Sequence, residues 1–302
     1  MAKPQVCGRV NIDTRHRRKL ICCPVNHTGA NPQTNAVAII PARFASSRLP
    51  GKPLLQIAGK PMIWWVVARA LAASRVARVI VATDDARVLE AVSLAGYEAV
   101  MTRADHASGT DRLAEVALAI SDADIIVNVQ GDEPLISPDT IDRTVDALLA
   151  DDNCQVATTW EPIASATDVL SPDVVKVVLD HSGHAVYFSR APVPYPRDAI
   201  SRHGSIEAAL ENEPELLSQF HKHTGLYAYR RDFLLKFARW PQSPLEQVES
   251  LEQLRAIERG VKIRVVQSAA PSIGVDTLED LERVRAIMER SIEFQVPTFE
   301  FK

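Results

Sequence analysis

The chain has 302 residues, of which 46% are apolar and 24% charged, and its formal net charge is −4 at pH 7. This composition is typical of a soluble globular protein with a substantial core, and it excludes bulk affinity for nucleic acid. No apolar run approaches the ~18 residues of a membrane helix. The four cysteines show no CxxC spacing, so the sequence does not predict a zinc site. Cys154 is the single thiol of the body, which fits a reducing cytoplasm.

The first residues differ from the rest of the chain. Residues 1–34 hold six Lys and Arg against one Asp, a formal charge of +5, and they show no apolar period. They also lack the apolar segment of ~7–15 residues that marks a secretory signal. We therefore predict that residues 1–35 form a disordered basic extension. A basic arm that docks on a partner is the alternative.

From residue 36 onward, strand and helix patterns alternate with short connections. Apolar, β-branched runs predict strands at residues 36–40, 78–83, 97–102 and 124–129. Proline cannot supply a ladder donor, so Pro41 is predicted to end the first strand. Periodic patterns with capping residues predict helices over 61–73, 85–95, 110–120 and 137–149. This alternation predicts an α/β fold with a parallel sheet covered on both faces.

The second half changes character. Predicted strands cover residues 156–159, 174–180, 185–189, 224–229 and 261–267, and predicted helices cover 232–238, 246–258 and 277–289. The stretch 192–214 is interpreted as loop-rich. We interpret this half as an insertion that carries the contacts of a second substrate, followed by a return to the first sheet.

The loop after the first strand carries the strongest functional signal. It holds the cations Arg43, Arg48 and Lys52 among serines, a proline and a glycine. Such a loop suits a polyphosphate, because hydroxyl and backbone N–H groups approach its oxygens while cations neutralise them. It is not a P-loop, since GxxxxGK[ST] is absent. The alternative is a solvated surface loop.

Two further strand ends point to the same edge of the sheet, where open parallel sheets bind ligands. The turn at Ser108 and Gly109 offers backbone groups for a base. Asp132 follows the fourth strand beside Gly131, and Asp276 lies in GVDT. Two carboxylates that converge on a triphosphate suggest Mg²⁺-assisted phosphoryl chemistry. The alternative for Asp132 is a helix N-cap or turn residue, and no Ser-His-Asp or Cys-His arrangement indicates covalent catalysis.

Eight separated blocks resemble the 3-deoxy-manno-octulosonate cytidylyltransferases (CMP-Kdo synthetases): IIPARFASSRLPGKPL, TRADHASGTDRLAEV, IIVNVQGDEPLI, VVKVVLD, AVYFSRAPVPY, KHTGLYAYR, SPLEQVESLEQLR and GVDTLEDLERV. They run in order from about residue 36 to 288. The resemblance implies a nucleotide-diphosphosugar-transferase-like fold, usually a homodimer. It implies that CTP and Kdo give CMP-Kdo and diphosphate, with Mg²⁺, in the cytoplasm, for lipopolysaccharide biosynthesis. Neither nucleic acid nor membrane is an implied partner.

The resemblance also implies roles for residues at matching positions. The triphosphate loop comprises Arg43, Ser46, Arg48 and Lys52, and the cytosine-side turn comprises Ser108, Gly109 and Arg112. The metal-binding aspartates are Asp132 and Asp276, which act in catalysis with Arg43 and Lys52. The acid-sugar pocket comprises Gln130, Arg190, His223, Tyr227, Glu252 and Gln253. On the residues alone, Arg190 could pair with the sugar carboxylate or be a surface arginine. His223 is more often a structural histidine than a catalyst, and Glu252 with Gln253 could be the polar face of a helix.

We expect one α/β nucleotidyltransferase domain over residues 36–290. Its nucleotide-binding part covers about 36–150, its sugar-binding and dimerisation part about 151–260, and the return to the main sheet about 261–290, with a tail over 291–302. An 8-amino relative of Kdo or a sialic acid is an alternative substrate. A nucleotide-sugar glycosyltransferase would share the sheet but needs a DxD-like pair where this chain has QGDEP. A non-catalytic nucleotide-binding regulator would not need both aspartates.

Overall fold

The structure, a computed structural model, describes residues 35–45 and 49–290. Several predicted features lie outside the described residues. They are the basic extension (except for its last residue), the C-terminal tail, Ser46 and Arg48. Among the described residues, no helix has the length and apolar character needed to cross a membrane.

A nine-stranded sheet organises the described chain, in the order β11-β7-β10-β6-β1-β4-β5, with β8 paired to β10 and β9 paired to β8, while β2 and β3 form a separate pair. The strands are β1 Ala36–Ala42, β2 Gln56–Ile57, β3 Lys60–Pro61, β4 Val76–Thr83, β5 Ala99–Met101, β6 Ile125–Asn128, β7 Val156–Pro162, β8 Lys176–Leu179, β9 Ala185–Ser189, β10 His221–Arg230 and β11 Ile263–Gln267.

Helices cover both faces of this sheet. They are α1 Met62–Leu71, α2 Ala86–Leu94, α3 Gly109–Ala119, α4 Pro138–Leu149, α5 Ala166–Leu170, α6 Arg197–His203, α7 Ile206–Asn212, α8 Arg231–Phe237, α9 Pro244–Glu249, α10 Leu254–Ile257 and α11 Leu278–Arg290, with 3₁₀ turns at Lys52–Leu54 and Pro214–Gln219. Apolar residues of α1, α2 and α4 form the core on one face, and those of α3, α8 and α10 form it on the other. A third cluster packs α11 against the β2–β3 pair.

The predicted α/β class with a mostly parallel sheet is confirmed, and β10, β8 and β9 depart from it, since β8 is antiparallel to both β10 and β9. β1 pairs in parallel with β4 and β6, and β11 pairs in parallel with β7. β10 is antiparallel to both of its main neighbours, β6 and β7. The first residues of β10 therefore lie at the edge where the parallel strands end.

Pro41 does not end the first strand, which corrects the prediction. β1 continues to Ala42, and Pro41 pairs with Ala82 of β4. The reason is the side to which the missing N–H would point. The Ile39 carbonyl accepts from Val129 N on the β6 side at 3.2 Å, and Pro41, two residues later, faces the same side after β6 has ended at Asn128. No ladder partner is lost there, as proline requires.

Two predictions in the second half are wrong. The stretch 192–214 is not loop-rich, because it contains α6 and α7, whose Ser205 cap accepts from Ala208 N. The predicted helix over 246–258 is broken into α9 and α10. Ser250 adopts a left-handed conformation at φ 53°, which ends α9.

Candidate active site

Three segments far apart in the chain meet at the carboxyl edge of the parallel strands. Lys52 begins the 3₁₀ turn after β1, Asp132 follows β6, and Asp276 precedes α11. The Lys52 Nζ lies 2.5 Å from Asp132 Oδ2 and 2.9 Å from Asp276 Oδ1. Val275 N donates to the Asp132 carbonyl at 2.9 Å, so the two aspartate segments are also joined through their backbones.

The electrostatics of this cluster favour a cation between the carboxylates. Burial would lower the pKa of Lys52, but the charges and hydrogen bonds of Asp132 and Asp276 outweigh it and raise that pKa. The Lys52 ammonium is thus a firmly charged group held by both aspartates. The side chains of Asp132 and Asp276 remain 32% and 48% exposed, so solvent and a ligand can reach their oxygens.

Gly131 sets the position of Asp132. A Cβ at this glycine would lie 2.7 Å from the backbone oxygen of Pro41, far inside ordinary contact. The absence of a side chain therefore lets the turn after β6 lie directly against β1. This close approach brings Asp132 within reach of Lys52, which follows β1.

The predicted base-side turn lies next to the loop that carries Arg43. Ser108 caps α3 in a capping box with Asp111, which orients the N–H groups of the helix start. The exposed Arg43 donates through Nη2 to the carbonyls of His106, at 2.7 Å, and Ser108, at 3.3 Å. Arg43, Ser108 and Gly109 are therefore brought together at this edge.

Arg112, also predicted on the cytosine side, is fully buried. Its guanidinium donates to Asp84 Oδ2 at 2.8 Å and to Thr102 Oγ1. These partners follow β4 and β5, so in this structure Arg112 braces the ends of two strands. A contact between Arg112 and the nucleotide stays a prediction.

Three residues of the predicted sugar pocket meet where β10 passes the end of β6. Gln130 Nε2 donates to the Gly225 carbonyl at 3.0 Å. The His223 and Tyr227 rings lie 5.4 Å apart, and His223 Nε2 lies 3.0 Å from Thr158 Oγ1. Burial lowers the pKa of His223 to about 3, so the imidazole is neutral at physiological pH. A neutral His223 can orient a hydroxyl but carries no charge toward a carboxylate.

Glu252 links this pocket to the base-side turn. It lies between α9 and α10 and accepts from Thr110 Oγ1 at the start of α3. Burial raises the pKa of the Glu252 carboxyl, and burial followed by the charge of Glu252 raises the pKa of Tyr227. Gln253, 9% exposed, stands at the start of α10.

Arg190 is held apart from the cluster around Lys52. Its Nε donates to the Glu249 carbonyl at 2.7 Å and its Nη1 to the Pro172 carbonyl at 2.9 Å. The Glu249 carboxylate also accepts from Arg190 N at 2.9 Å. These bonds fix the Arg190 guanidinium on backbone carbonyls at the end of α9. The guanidinium has five N–H donors and its bonds leave some of them available, so the contact with a sugar carboxylate stays a prediction.

Sequence reasoning missed two groups beside the site. Asp84, the partner of Arg112, has no predicted role in the site, and the adjacent Asp85 is the N-cap of α2. Glu133 follows Asp132 directly, and burial, with the adjacent Asp132 charge, raises its pKa to about 7. The adjacent carboxylates in QGDEP were the signal for Glu133, since neighbouring like charges perturb each other.

Comparisons with known proteins identify the family of this chain. A family model described as cytidylyltransferase matches residues 37–263. A 3-deoxy-manno-octulosonate cytidylyltransferase of Geobacter metallireducens is 52% identical over 261 residues, covering 86% of this chain and 98% of that protein. The enzyme of the same name from Yersinia pestis is 51% identical over 255 residues, covering 83% of this chain and 98% of its own length.

Solved structures show the same relationship. The structure of a CMP:2-keto-3-deoxy-manno-octonic acid synthetase complexed with CTP aligns with a TM-score of 0.76 and 47% identity, covering 85% of this chain and 99% of that one. A cytidylyltransferase from Leptospira borgpetersenii, at 16% identity and a TM-score of 0.55 over 87% of this chain and 90% of that one, shares the fold. The resemblance identified from the eight sequence blocks is thereby confirmed, and the chain belongs to the cytidylyltransferase family, among the 3-deoxy-manno-octulosonate cytidylyltransferases.

Proposed function

We propose that this protein transfers a cytidylyl group from CTP to 3-deoxy-D-manno-octulosonate, giving CMP-Kdo and diphosphate for lipopolysaccharide biosynthesis. The observation that carries the proposal is the convergence of Lys52, Asp132 and Asp276 at the carboxyl edge of the sheet. Relatives about half identical over more than four fifths of the chain, named for this reaction, support it.

The transfer is a direct in-line displacement. The anomeric hydroxyl of the sugar attacks the α-phosphorus of CTP and releases its proton to solvent, the bond to the bridging oxygen breaks, and diphosphate leaves with that electron pair. Arg43 and Lys52 offset the charge that develops on the phosphate oxygens. Lys52 is paired with Asp132 and Asp276, which holds its ammonium at the edge of the sheet where we propose that the phosphates bind.

The donor set at this point suits Mg²⁺. Asp132 and Asp276 offer carboxylate oxygens that already surround one cationic group, and both side chains are partly exposed. Oxygen ligands from one or two carboxylates, completed by phosphates and water, are the set that Mg²⁺ takes. When bound there, the ion would polarise the phosphate oxygens and stabilise the leaving diphosphate. The chain's part is to hold both carboxylates in place through Gly131 and the backbone bond from Val275.

The remaining groups divide between the two substrates. The Ser108–Gly109 turn and Arg112 serve the cytosine side, with Ser46 and Arg48 completing the triphosphate loop. Gln130, Arg190, His223, Tyr227, Glu252 and Gln253 serve the sugar. The proposal includes the division of residues 36–290 into nucleotide-binding and sugar-binding parts. It also includes a homodimer formed through the second part, and a cytoplasmic location, where CTP is available and Cys154 stays reduced.

Diphosphate release tests the reaction directly. With CTP, Kdo and Mg²⁺, we expect diphosphate and CMP-Kdo in equal amounts, and neither product when the sugar is omitted. Kdo, its 8-amino relative and sialic acid are compared at equal concentration. Asp276→Asn should lower kcat by about 100-fold or more. The matched control is Asp232→Asn, which removes the same charge from a side chain 83% exposed on α8 and should leave kcat unchanged.

Two results would contradict the proposal. Sugar-independent hydrolysis of CTP, or no diphosphate with any of these sugars, excludes cytidylyl transfer to a 2-keto acid sugar. Transfer of a sugar from a nucleotide-sugar donor without diphosphate release would establish a glycosyltransferase instead.

A further inference from the structure

A second group of metal-binding side chains lies outside the site described above. Asp151 and Cys154 stand in the turn between α4 and β7, and His184 lies in the hairpin between β8 and β9. His184 Nε2 is 2.8 Å from Asp151 Oδ2, and Cys154 Sγ is 3.2 Å from the same oxygen. The three ligand atoms all lie within 4.8 Å of one another.

The spacing of these atoms is close to that of a metal ligand set. Zn²⁺ binds its N, O and S ligands at about 2.0–2.3 Å, which in a tetrahedron separates neighbouring ligand atoms by about 3.3–3.7 Å. The contacts of 2.8 and 3.2 Å open to that range through small side-chain rotations. The protein therefore needs no rearrangement of its backbone to admit an ion.

The backbone around the three donors is already fixed. The Asp151 carbonyl accepts from Cys154 N and its Oδ1 accepts from Asn153 N, each at 3.0 Å, so the turn is closed on itself. His184 N donates to Asp180 Oδ1 at 2.9 Å, which holds the hairpin that carries the imidazole. Pre-positioned ligands of this kind lower the cost of assembling a metal site.

His184 also has a carboxylate near its other ring nitrogen. Its Nδ1 lies 3.6 Å from Asp180 Oδ2, just beyond hydrogen-bond distance, on the side of the ring away from Asp151. In metal sites, the nitrogen that does not bind the ion donates its N–H to a carboxylate or carbonyl, which selects the tautomer and orients the ring. Asp180 is placed for this role, which is an observation independent of the three ligands.

The degree of exposure suits the binding of an ion from solution. Cys154 is buried, while the side chains of Asp151 and His184 are 20% and 14% exposed. A surface cavity of about 570 Å³ is lined by Asp151 and Arg264, so water can approach the Asp151 carboxylate. Burial, followed by the hydrogen bond and charge of Asp151, raises the pKa of the Cys154 thiol and outweighs the opposite effect of Arg264 and Lys262, so the thiol keeps its proton until an ion displaces it.

We propose that Asp151, Cys154 and His184 bind a thiophilic divalent cation, with Zn²⁺ the best match to one sulfur, one nitrogen and one oxygen donor. The absence of CxxC spacing in the sequence argues only against cysteine-rich zinc sites. It does not argue against a site with one Cys, one His and one Asp ligand. Binding releases the proton of the Cys154 thiol to solvent. The imidazole proton moves from Nε2 to Nδ1, where it is donated to Asp180. Charge balances, because Zn²⁺ then faces one thiolate and one carboxylate.

This site lies at the opposite end of the sheet from Lys52. Cys154 precedes the start of β7, and His184 pairs with Arg264 at the start of β11. The proposed ion therefore joins the β8–β9 hairpin to the start of the sheet. We expect it to stabilise the fold without taking part in cytidylyl transfer.

Cobalt substitution tests the site in the full-length chain. Replacing Cys7, Cys22 and Cys23 by Ser leaves Cys154 as the only thiol. Addition of Co²⁺ to this metal-free protein should then give a thiolate-to-cobalt charge-transfer band that saturates at one equivalent and disappears when Zn²⁺ is added. Co²⁺ at Asp132 and Asp276 cannot give this band, because those ligands are oxygens.

Variants assign the band to the cluster. In the same background, Cys154→Ser should abolish it, and Asp180→Asn should weaken Co²⁺ binding by about 10- to 100-fold. His184→Gln should also remove the thermal stabilisation that Zn²⁺ gives. Because this variant keeps Cys154, it tests the site even if Cys154→Ser does not fold. His181→Gln, in the same hairpin, is the matched control and should change neither property. No band with Co²⁺ at millimolar concentration, or a band that survives His184→Gln unchanged, would overturn the proposal.

Discussion

The close approach of Gly131 to β1 allows a sharp test of the active-site geometry. In Gly131→Ala, the new Cβ would lie 2.7 Å from the Pro41 backbone oxygen. Ordinary contact begins at 3.4 Å, so the turn must move by about 0.7 Å away from β1. That shift separates Asp132 from Lys52 and, through the backbone bond to Val275, also pulls on the segment that carries Asp276.

The expected cost follows from the size of this shift. A misplacement approaching 1 Å in a catalytic constellation costs up to about 100-fold, so we expect kcat/KM to fall by about 10- to 100-fold. Overpacking should also lower the free energy of unfolding by about 1–3 kcal/mol. Diphosphate release measures the first quantity, and urea unfolding measures the second.

Gly274→Ala provides the matched control. Gly274 lies two residues before Asp276, and a Cβ there would have nothing within 4 Å. This variant should keep kcat/KM and stability near the wild-type values. A Gly131→Ala enzyme that is folded and within twofold of wild-type kcat/KM would refute the claim that this glycine positions Asp132.

Four other outcomes are expected. Asp132→Asn should keep the fold and lower kcat by about 100-fold or more, because it removes a carboxylate charge from the cation site; turnover near wild type at saturating Mg²⁺ would contradict that role. The kcat/KM for CTP should exceed that for UTP by about ten- to a hundredfold, since an unmatched buried hydrogen-bond pair at the 4-position of the base costs ~1–3 kcal/mol. Gly109→Val should raise KM for CTP. Equal kcat/KM for both nucleotides in the wild type would argue against a turn that recognises the base. When the pH is lowered from 7 to 5, the free energy of unfolding of the wild type should fall by up to about 2 kcal/mol more than that of His223→Gln. The unfolded state binds a proton below its pKa of 6.5 that the folded imidazole, with a pKa of about 3, does not bind; equal losses would show that His223 titrates normally. Deletion of residues 1–34 should leave Tm and kcat/KM unchanged, because that sequence offers no apolar face to bury; a Tm several degrees lower would contradict this.

The four strands of the main sheet and the four α-helices up to Leu149 could be predicted in order because each carries a local signal, whereas the short β2–β3 pair was missed. Asp85 and Ser108 are helix caps that hydrogen-bond within three residues, and the buried strands are continuous apolar runs. The helices α6 and α7 were not predicted, because their stretch is polar and rich in proline, a composition that is typical of loops. The break at Ser250 depends on a single left-handed residue, for which a serine gives no warning.

The site residues were predictable as types, but their mutual contacts were not. Cations after β1 and carboxylates at strand ends are visible in one sequence. The bonds of Lys52 to Asp132 and Asp276 span 80 and 224 residues, and the bond from Thr110 to Glu252 spans 142. Such contacts arise from the sheet order, which no local pattern encodes. The bonds that hold Arg190 on backbone carbonyls are equally invisible to sequence reasoning.

The reversed direction of β10 has a consequence for how firmly the edge of the sheet is held. Its second half pairs with both β6 and β7 within the core. Its first half, ahead of the register irregularity between Thr224 and Tyr227, extends past the end of β6 and pairs with β7 and, at Lys222, with β8. One continuous strand therefore joins the buried centre of the sheet to the edge beside Gln130. The part of the edge that carries His223 is thus held by ladder hydrogen bonds and not by a loop, so its position depends on the packing of the whole sheet.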